Sequence, residues 1–198
     1  MLWSFKPEFV QPVFDFISNY ANISGAEMKA MLNRIHFSSF KKNEAIFQQD
    51  SKAQKIVFIL KGSVRWCYSD ENGDEHTVNF TFENQPVVPF GSFEHQLPCA
   101  NSVITIESTY AAWTSHEEFF GFMKEFPNYE IPARPLLGEF LKVEIEQAKL
   151  LRISSAKERY EALLKLRPEV IKRVPQIYIA SYLGISPETL SRVRAGKF

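Results

Sequence analysis

Nothing in the chain limits its architecture more than Gln176–Arg194, QIYIASYLGISPETLSRVR. Ile179, Ala180 and Leu183 recur at helical spacing, so an apolar stripe runs along a first short helix. Gly184 follows and takes positive φ without steric cost, which lets the chain turn sharply. Ile185 fills the corner. Ser186 is then a good N-cap, Pro187 suits the first helical position, and Glu188 lies in the first turn, where the helix dipole favours an anion. Leu190 and Val193 point back toward Ala180, whose small side chain admits a close helix–helix approach. Pro187, Glu188, Ser191 and Arg192 are left facing outward on a rigid support, which is what a helix entering the major groove of DNA requires. Taken singly, each signal describes an ordinary helical hairpin. Together they predict a helix-turn-helix that reads base edges. Arg192 matches guanine O6 and N7, and Glu188 can accept from cytosine N4. Gln176, Ser186, Thr189, Ser191, Arg194 and Lys197 complete the candidate contacts, with hydroxyls and cations suited to phosphates.

The 198 residues are enough for one large or two smaller cores. A hydrophobic content of 45% with 18 Phe argues for a folded chain. No apolar run is long enough to span a bilayer, and Met1–Tyr20 lacks the pattern of a signal peptide, so a cytoplasmic protein without a membrane partner is expected. Cys67 and Cys99 stand alone and read as buried thiols, not as a disulfide framework or metal knuckle. The net charge of zero hides a segregation. Residues 1–133 hold 10 Lys/Arg against 16 Asp/Glu, whereas residues 134–198 hold 13 against 7. A basic tail behind an acidic front points to a polyanion-binding module carried by a module with another task.

Along the chain, Phe9, Val13, Phe14, Ile17 and Tyr20 follow a helical stripe, and Trp3 and Phe5 are expected to pack nearby. Ser24 with Glu27 resembles a capping box opening a second helix through Met28, Met31 and Leu32. From about Ile35 the pattern changes to strands at Glu44–Gln48, Lys55–Leu60, Ser63–Tyr68, Thr77–Phe82 and Ser102–Trp113, with Asn72-Gly73 as a hairpin turn. Short strands at regular spacing predict an antiparallel roll. Glu83–Asn101, with three prolines, reads as an irregular loop over it. His116–Phe126 returns to helix, which Pro127, Pro132 and Pro135 are expected to break. Leu136–Ile153 is a longer helix, with Leu137, Leu141, Ala148 and Leu151 at coiled-coil-like spacing, widened by Phe140, Val143 and Ile145. It is read as a dimer seam that also contacts the roll. Ser155 caps the next helix, Ala156–Leu166, with Tyr160, Leu163 and Leu164 inward; Pro168 interrupts it. The expected organisation is α+β: an antiparallel, jelly-roll-like β-roll with helices over residues 1–133, a dimerisation helix over 134–153, and a (winged) helix-turn-helix over 154–198.

Lys61-Gly62-Ser63-Val64-Arg65, Ser155-Ala156-Lys157-Glu158-Arg159-Tyr160 and Ile179–Arg192 together resemble the Crp/Fnr family of bacterial transcription regulators. The resemblance runs from about residue 25 onward. It implies a homodimer through the long helix, with Glu188 and Arg192 as the reading residues on double-stranded DNA and RNA polymerase as a further partner. The chain departs from the cyclic-nucleotide members where the effector sits. Their Gly-Glu-Leu turn and later Arg-Ser/Thr-Ala correspond here to Phe90-Gly91-Ser92-Phe93 and Cys99-Ala100-Asn101-Ser102. Without the acid and the Arg, burying a cyclic phosphate is costly, so cyclic AMP is not the expected effector. A neutral or apolar small molecule is expected instead, in a pocket of Phe82, Val87, Phe90, Gly91, Ser92, Asn101 and Ser102, with Phe93 nearby; plain core packing explains the apolar members equally well. A roll that has lost ligand binding and only holds the dimer is the alternative. No cofactor and no metal site is expected, although His36, His76, His95, His116 and the two Cys leave haem open. The four His are spread singly, and Glu117-Glu118 reads as a solvated pair. No Gly-rich phosphate loop, Ser/His/Asp order or HExxH is present, so no catalytic residue is proposed. A cupin-like enzyme is the less favoured reading.

Overall fold

The computed structural model describes residues 7–20, 22–127 and 130–197, with backbone alone for 7–9, 130–137, 139 and 140. Trp3 and Phe5 lie outside the described residues, as do the side chains of Phe9, Leu137 and Phe140. The chain falls into two compact units, residues 1–66 with 81–136 and residues 67–80 with 137–198.

The first unit begins with α1 (Pro7–Ser18) and α2 (Gly25–Leu32). The capping box of α2 is present: the Glu27 N–H donates to Ser24 Oγ at 3.3 Å, and the Ser24 N–H donates to the Glu27 carboxylate at 2.7 Å. In chain order the strands β1 (His36–Phe40), β2 (Ala45–Phe47), β3 (Lys55–Lys61), β4 (Val64–Ser69), β5 (Glu75–Thr81) and β6 (Pro86–Val87) follow, of which residues 67–80 in β4 and β5 count with the second unit. Then come α3 (Phe90–His95), β7 (Ser102–Thr105), β8 (Thr109–Ser115) and α4 (His116–Glu125). The strands form two four-stranded sheets, ordered β1-β8-β3-β6 and β2-β7-β4-β5. Alternation along β3 decides what each face buries. Val57 and Ile59 turn into the main core with Ile46, Phe47, Val64, Val87, Val103 and Ala111. Phe58 turns the other way, toward Val13 and Phe16 of α1, its ring 5.4 Å from that of Phe16.

Three expectations for this unit need correction. Ser102–Trp113 is two strands in different sheets, separated at Ile106, whose N–H donates to the Ser63 carbonyl at 2.9 Å. Glu83–Asn101 is not irregular, since it holds β6 and α3. The Asn84 N–H donates to the Ile59 carbonyl at 2.8 Å, and the Ile59 N–H donates to Gln85 at 3.1 Å, so this segment is pinned along β3. Glu118 is not a solvated charge. It closes the capping box of α4 with Ser115 and meets His36, whereas Glu117 is exposed.

The second unit comprises residues 67–80, most of the β4–β5 hairpin, and the helices from residue 137 on. These are α5 (Glu130–Arg152, here from Leu137 on), α6 (Ala156–Leu166), α7 (Pro168–Arg173), α8 (Gln176–Tyr182) and α9 (Pro187–Arg194). The hairpin turn expected at Asn72-Gly73 is present, with Gly73 at φ +84° and the Asn72 and Asp74 N–H groups donating to Asp70 Oδ1. Pro132 and Pro135 lie inside α5 and do not end it. Pro132 falls in the first turn, where the N–H has no intrahelical partner in any case, and Pro135 forgoes one bond. Pro168 does not merely interrupt either; it is the first residue of α7, the position at which proline's fixed φ is favourable. Ser155 caps α6 as expected, and Leu163 is buried, but Leu164 is 44% exposed. Ala195–Lys197 follow α9 among the described residues.

Candidate nucleic-acid interface

The turn between α8 and α9 is built from two bonds. The Ile185 N–H donates to the Ala180 carbonyl and the Gly184 N–H to the Ser181 carbonyl, both at 3.0 Å, with Gly184 at φ +62°. This is the Schellman closure, and it satisfies carbonyls that the end of α8 would otherwise leave bare. Ser186 then starts α9, its hydroxyl accepting from the Thr189 N–H at 3.1 Å and meeting the Thr189 hydroxyl at 3.1 Å. The Glu188 carboxyl lies below the ordinary carboxylate range, held there first by its own N–H, then by the Ser186 hydroxyl, with Arg192 one turn on adding attraction. The far end of α9 closes in the same way as α8. Gly196, at φ +67°, donates to the Val193 carbonyl and Lys197 to that of Arg192.

Ile179, Ala180, Leu183, Leu190 and Val193 are all buried, and Leu183 and Leu190 are fully so. Ser186, Pro187, Glu188, Ser191, Arg192, Arg194 and Lys197 are exposed on and around α9, with Thr189 half-exposed. Gln176 is exposed at the start of α8. The candidate contacts therefore share one short helix and its flanks, apart from Gln176.

Three side chains that support this module are absent from the candidate set. Tyr182 is 3% exposed, its ring 5.2 Å from that of Phe80, and burial pushes its hydroxyl pKa up. Ser181 accepts the Thr77 N–H at 2.8 Å. Arg167 donates to Asn79 Oδ1 at 2.8 Å and to the Phe80 carbonyl at 2.7 Å. The partners lie in β5, far away in sequence, and no local pattern announces them.

On α5, Leu141 is 62% and Leu151 42% exposed, and Ala148 is exposed too. Ile145, at 53%, joins Leu141 and Ala148 on one face. Leu150, by contrast, is buried, and the Leu137 side chain lies outside the described residues.

Several of the residues expected to line an effector pocket pack or bond within the roll. Val87 and Phe93 belong to the main core, and Phe82 is 5% exposed. Phe90 packs against that core. The Ser92 hydroxyl accepts the Ala53 N–H at 2.8 Å, and the Ser102 hydroxyl accepts the Gln49 N–H at 2.9 Å. Gly91 is exposed and Asn101 half-exposed. Of the histidines, His36 and His76 meet Glu118 and Asp70, and His116 packs on Phe93 and Phe120. No helix among the described residues is long and apolar enough to cross a membrane.

The cyclic nucleotide-binding domain family matches residues 37–126. Among solved structures, a putative transcriptional regulator of the Crp/Fnr family from Eubacterium rectale is similar, with a TM-score of 0.72 at 16% identity, over 90% of this chain and 87% of that one. The c-di-GMP-responsive global regulator CLP of Xanthomonas campestris gives 0.70 at 17%, over 87% and 91%. FixK2 from Bradyrhizobium japonicum gives 0.69 at 17%, over 82% and 83%. No curated protein matches the sequence. Residues 37–126 therefore match the cyclic nucleotide-binding domain family, and the chain shares the fold of these Crp/Fnr-type structures.

Proposed function

We propose that the chain is a homodimeric, sequence-specific DNA-binding regulator of transcription whose reading surface is the exposed face of α9. The observation that carries this reading is the division of α9 itself: Leu190 and Val193 hold it to the fold, while Glu188, Ser191, Arg192 and Arg194 project from a helix capped at both ends. Such a helix presents fixed donors to base edges with little ordering left to do. The apolar face of Leu141, Ile145 and Ala148 on α5 supports pairing through that helix, which would place two reading helices on a two-fold symmetric site.

The decisive test begins with fragments selected by the purified protein from genomic DNA. Binding to a selected site should then fall by about 1–3 kcal/mol in Arg192→Ala, with relaxed preference at one base position. Lys197→Ala should weaken all sequences alike and flatten the salt dependence. Unchanged selectivity in Arg192→Ala would refute the assigned reading face.

A regulator whose expected effector pocket is filled is the favoured variant, because Val87 and Phe93 serve the core and the Ser92 and Ser102 hydroxyls already have partners. Cyclic nucleotides are not proposed as effectors, since neither Phe90-Gly91-Ser92-Phe93 nor Cys99–Ser102 supplies a cation for the phosphate.

A further inference from the structure

The connection between β2 and β3 opens a groove of about 380 Å3 in the first unit, well away in sequence from residues 82–102. Ile46 and Phe47 lie beneath it, both nearly buried. Its walls carry Lys52 and Lys55 and no carboxylate. Of the other polar groups, the Ser51 hydroxyl donates to the Gln48 carbonyl at 2.6 Å, and the Gln54 amide donates to Gln96 at 2.7 Å. Gln48 adds a neutral amide, so the two ammonium groups are the charged donors that the lining offers to a ligand.

Lys55 is an unusual choice for its position. Its Nζ lies 5.4 Å from the ring centre of Phe40, 5.6 Å from that of Trp113 and 6.0 Å from that of Phe47. The rings give a cation some attraction, but they offer no acceptor. Burial pushes the Lys55 pKa down, and Glu44 opposes that only in part. The Glu44 carboxylate is itself tied to the Lys41 N–H at 2.7 Å. Among the described residues, no hydrogen bond or ion pair satisfies the Lys55 ammonium. If the only task were to cover Phe40, Phe47 and Trp113, a Met would do it without this cost.

We propose that this groove binds a small planar carboxylate, its charged end on Lys55 and Lys52 and its aromatic body against Ile46 and Phe47. Charge complementarity fixes the anion, because both charged side chains of the lining are cations and no acid lines the walls. The apolar floor of Ile46 and Phe47 fixes the body, and the volume admits a one- or two-ring acid. The proposal is independent of how the chain treats DNA, so either reading can fail without the other.

The test is a titration of the full chain with sodium 1-naphthoate, followed through backbone amide resonances of residues 45–48, 52 and 55 and the Trp113 indole N–H. These signals should shift saturably. Lys55→Met, which keeps the apolar stem over the rings, should weaken binding by about tenfold or more, and Lys55→Arg should restore it in part. Lys52→Gln, at an exposed position, should weaken it less while leaving the thermal midpoint unchanged. Uncharged 1-naphthamide and acetate should each bind far more weakly than naphthoate. The proposal is overturned if the shifts fail to saturate or centre on other residues. It is equally overturned if folded Lys55→Met binds as the wild type does, or if acetate matches naphthoate.

Discussion

The carboxylate of Glu118 closes the capping box of α4 with one oxygen, accepting the Ser115 N–H at 3.0 Å, and meets His36 Nε2 at 2.7 Å with the other. Burial alone would raise its pKa, but the bonds to His36 and Ser115 outweigh it and hold the group below the ordinary carboxylate range. A carboxyl depressed in the folded state adds stability that is fully present above its unfolded value and is lost as the pH falls through the folded one. Glu118→Gln should therefore lower stability at neutral pH by about 1 kcal/mol. Thermal midpoints measured down through pH 4.5 should show the two proteins converging; a constant gap would mean the charge is not what matters. Gly62 gives a second prediction at this scale. At φ +99°, an added Cβ would lie 2.6 Å from Thr109 Oγ1 and 2.8 Å from the Ser108 carbonyl. Gly62→Ala should cost about 1–3 kcal/mol in denaturant unfolding. Neither role was legible from sequence, because His36 is 82 residues from Glu118 and the crowding at Gly62 comes from β8.

What sequence does reveal at the level of elements follows the range of the interaction. The caps at Ser24, Ser155 and Ser186 and the turn at Gly184 depend on neighbours within four residues, and each is where the pattern puts it. The apolar stripe of the helix-turn-helix is equally local, and its buried and exposed faces follow the 3.6-residue period. Elements fixed by distant partners were illegible. β6 is two residues long and exists by pairing with Val57 and Phe58. Pro168 and Pro132 misled because proline stops a helix in its interior yet suits its first turn. In the candidate site, α9 was readable while Arg167 and Ser181 were not, their hairpin partners lying 88 and 104 residues away. Gly184→Ala tests the turn directly. Leu151 Cδ2, at 3.8 Å, leaves room for the methyl group, so the cost should be the backbone term of about 1–2 kcal/mol.

Over the whole molecule, the charge segregation of the linear sequence largely disappears in the compact units. The β4–β5 hairpin, over residues 67–80, brings Asp70, Glu71, Asp74 and Glu75 into the unit that holds the basic helices. That unit carries 12 Lys/Arg and 11 Asp/Glu, and the first unit 11 and 12. Long-range attraction for a polyanion is correspondingly muted, whatever the short-range contacts of α9 achieve. Glu71→Gln with Glu75→Gln should therefore speed association with DNA at low salt and have little effect at high salt, as stopped-flow fluorescence would report. An equal effect at both salt concentrations would count against a long-range origin.

The second unit is assembled from two stretches of chain, with residues 81–136 between them. A polypeptide emerging from the ribosome makes Asn79 and Phe80 long before Arg167 and Tyr182 exist to meet them. The part of the molecule proposed to grip DNA thus waits for all of residues 81–136 to be made before it can close, and residues 137–198 made as a separate peptide should leave Tyr182 exposed to solvent and lack a sharp melting transition.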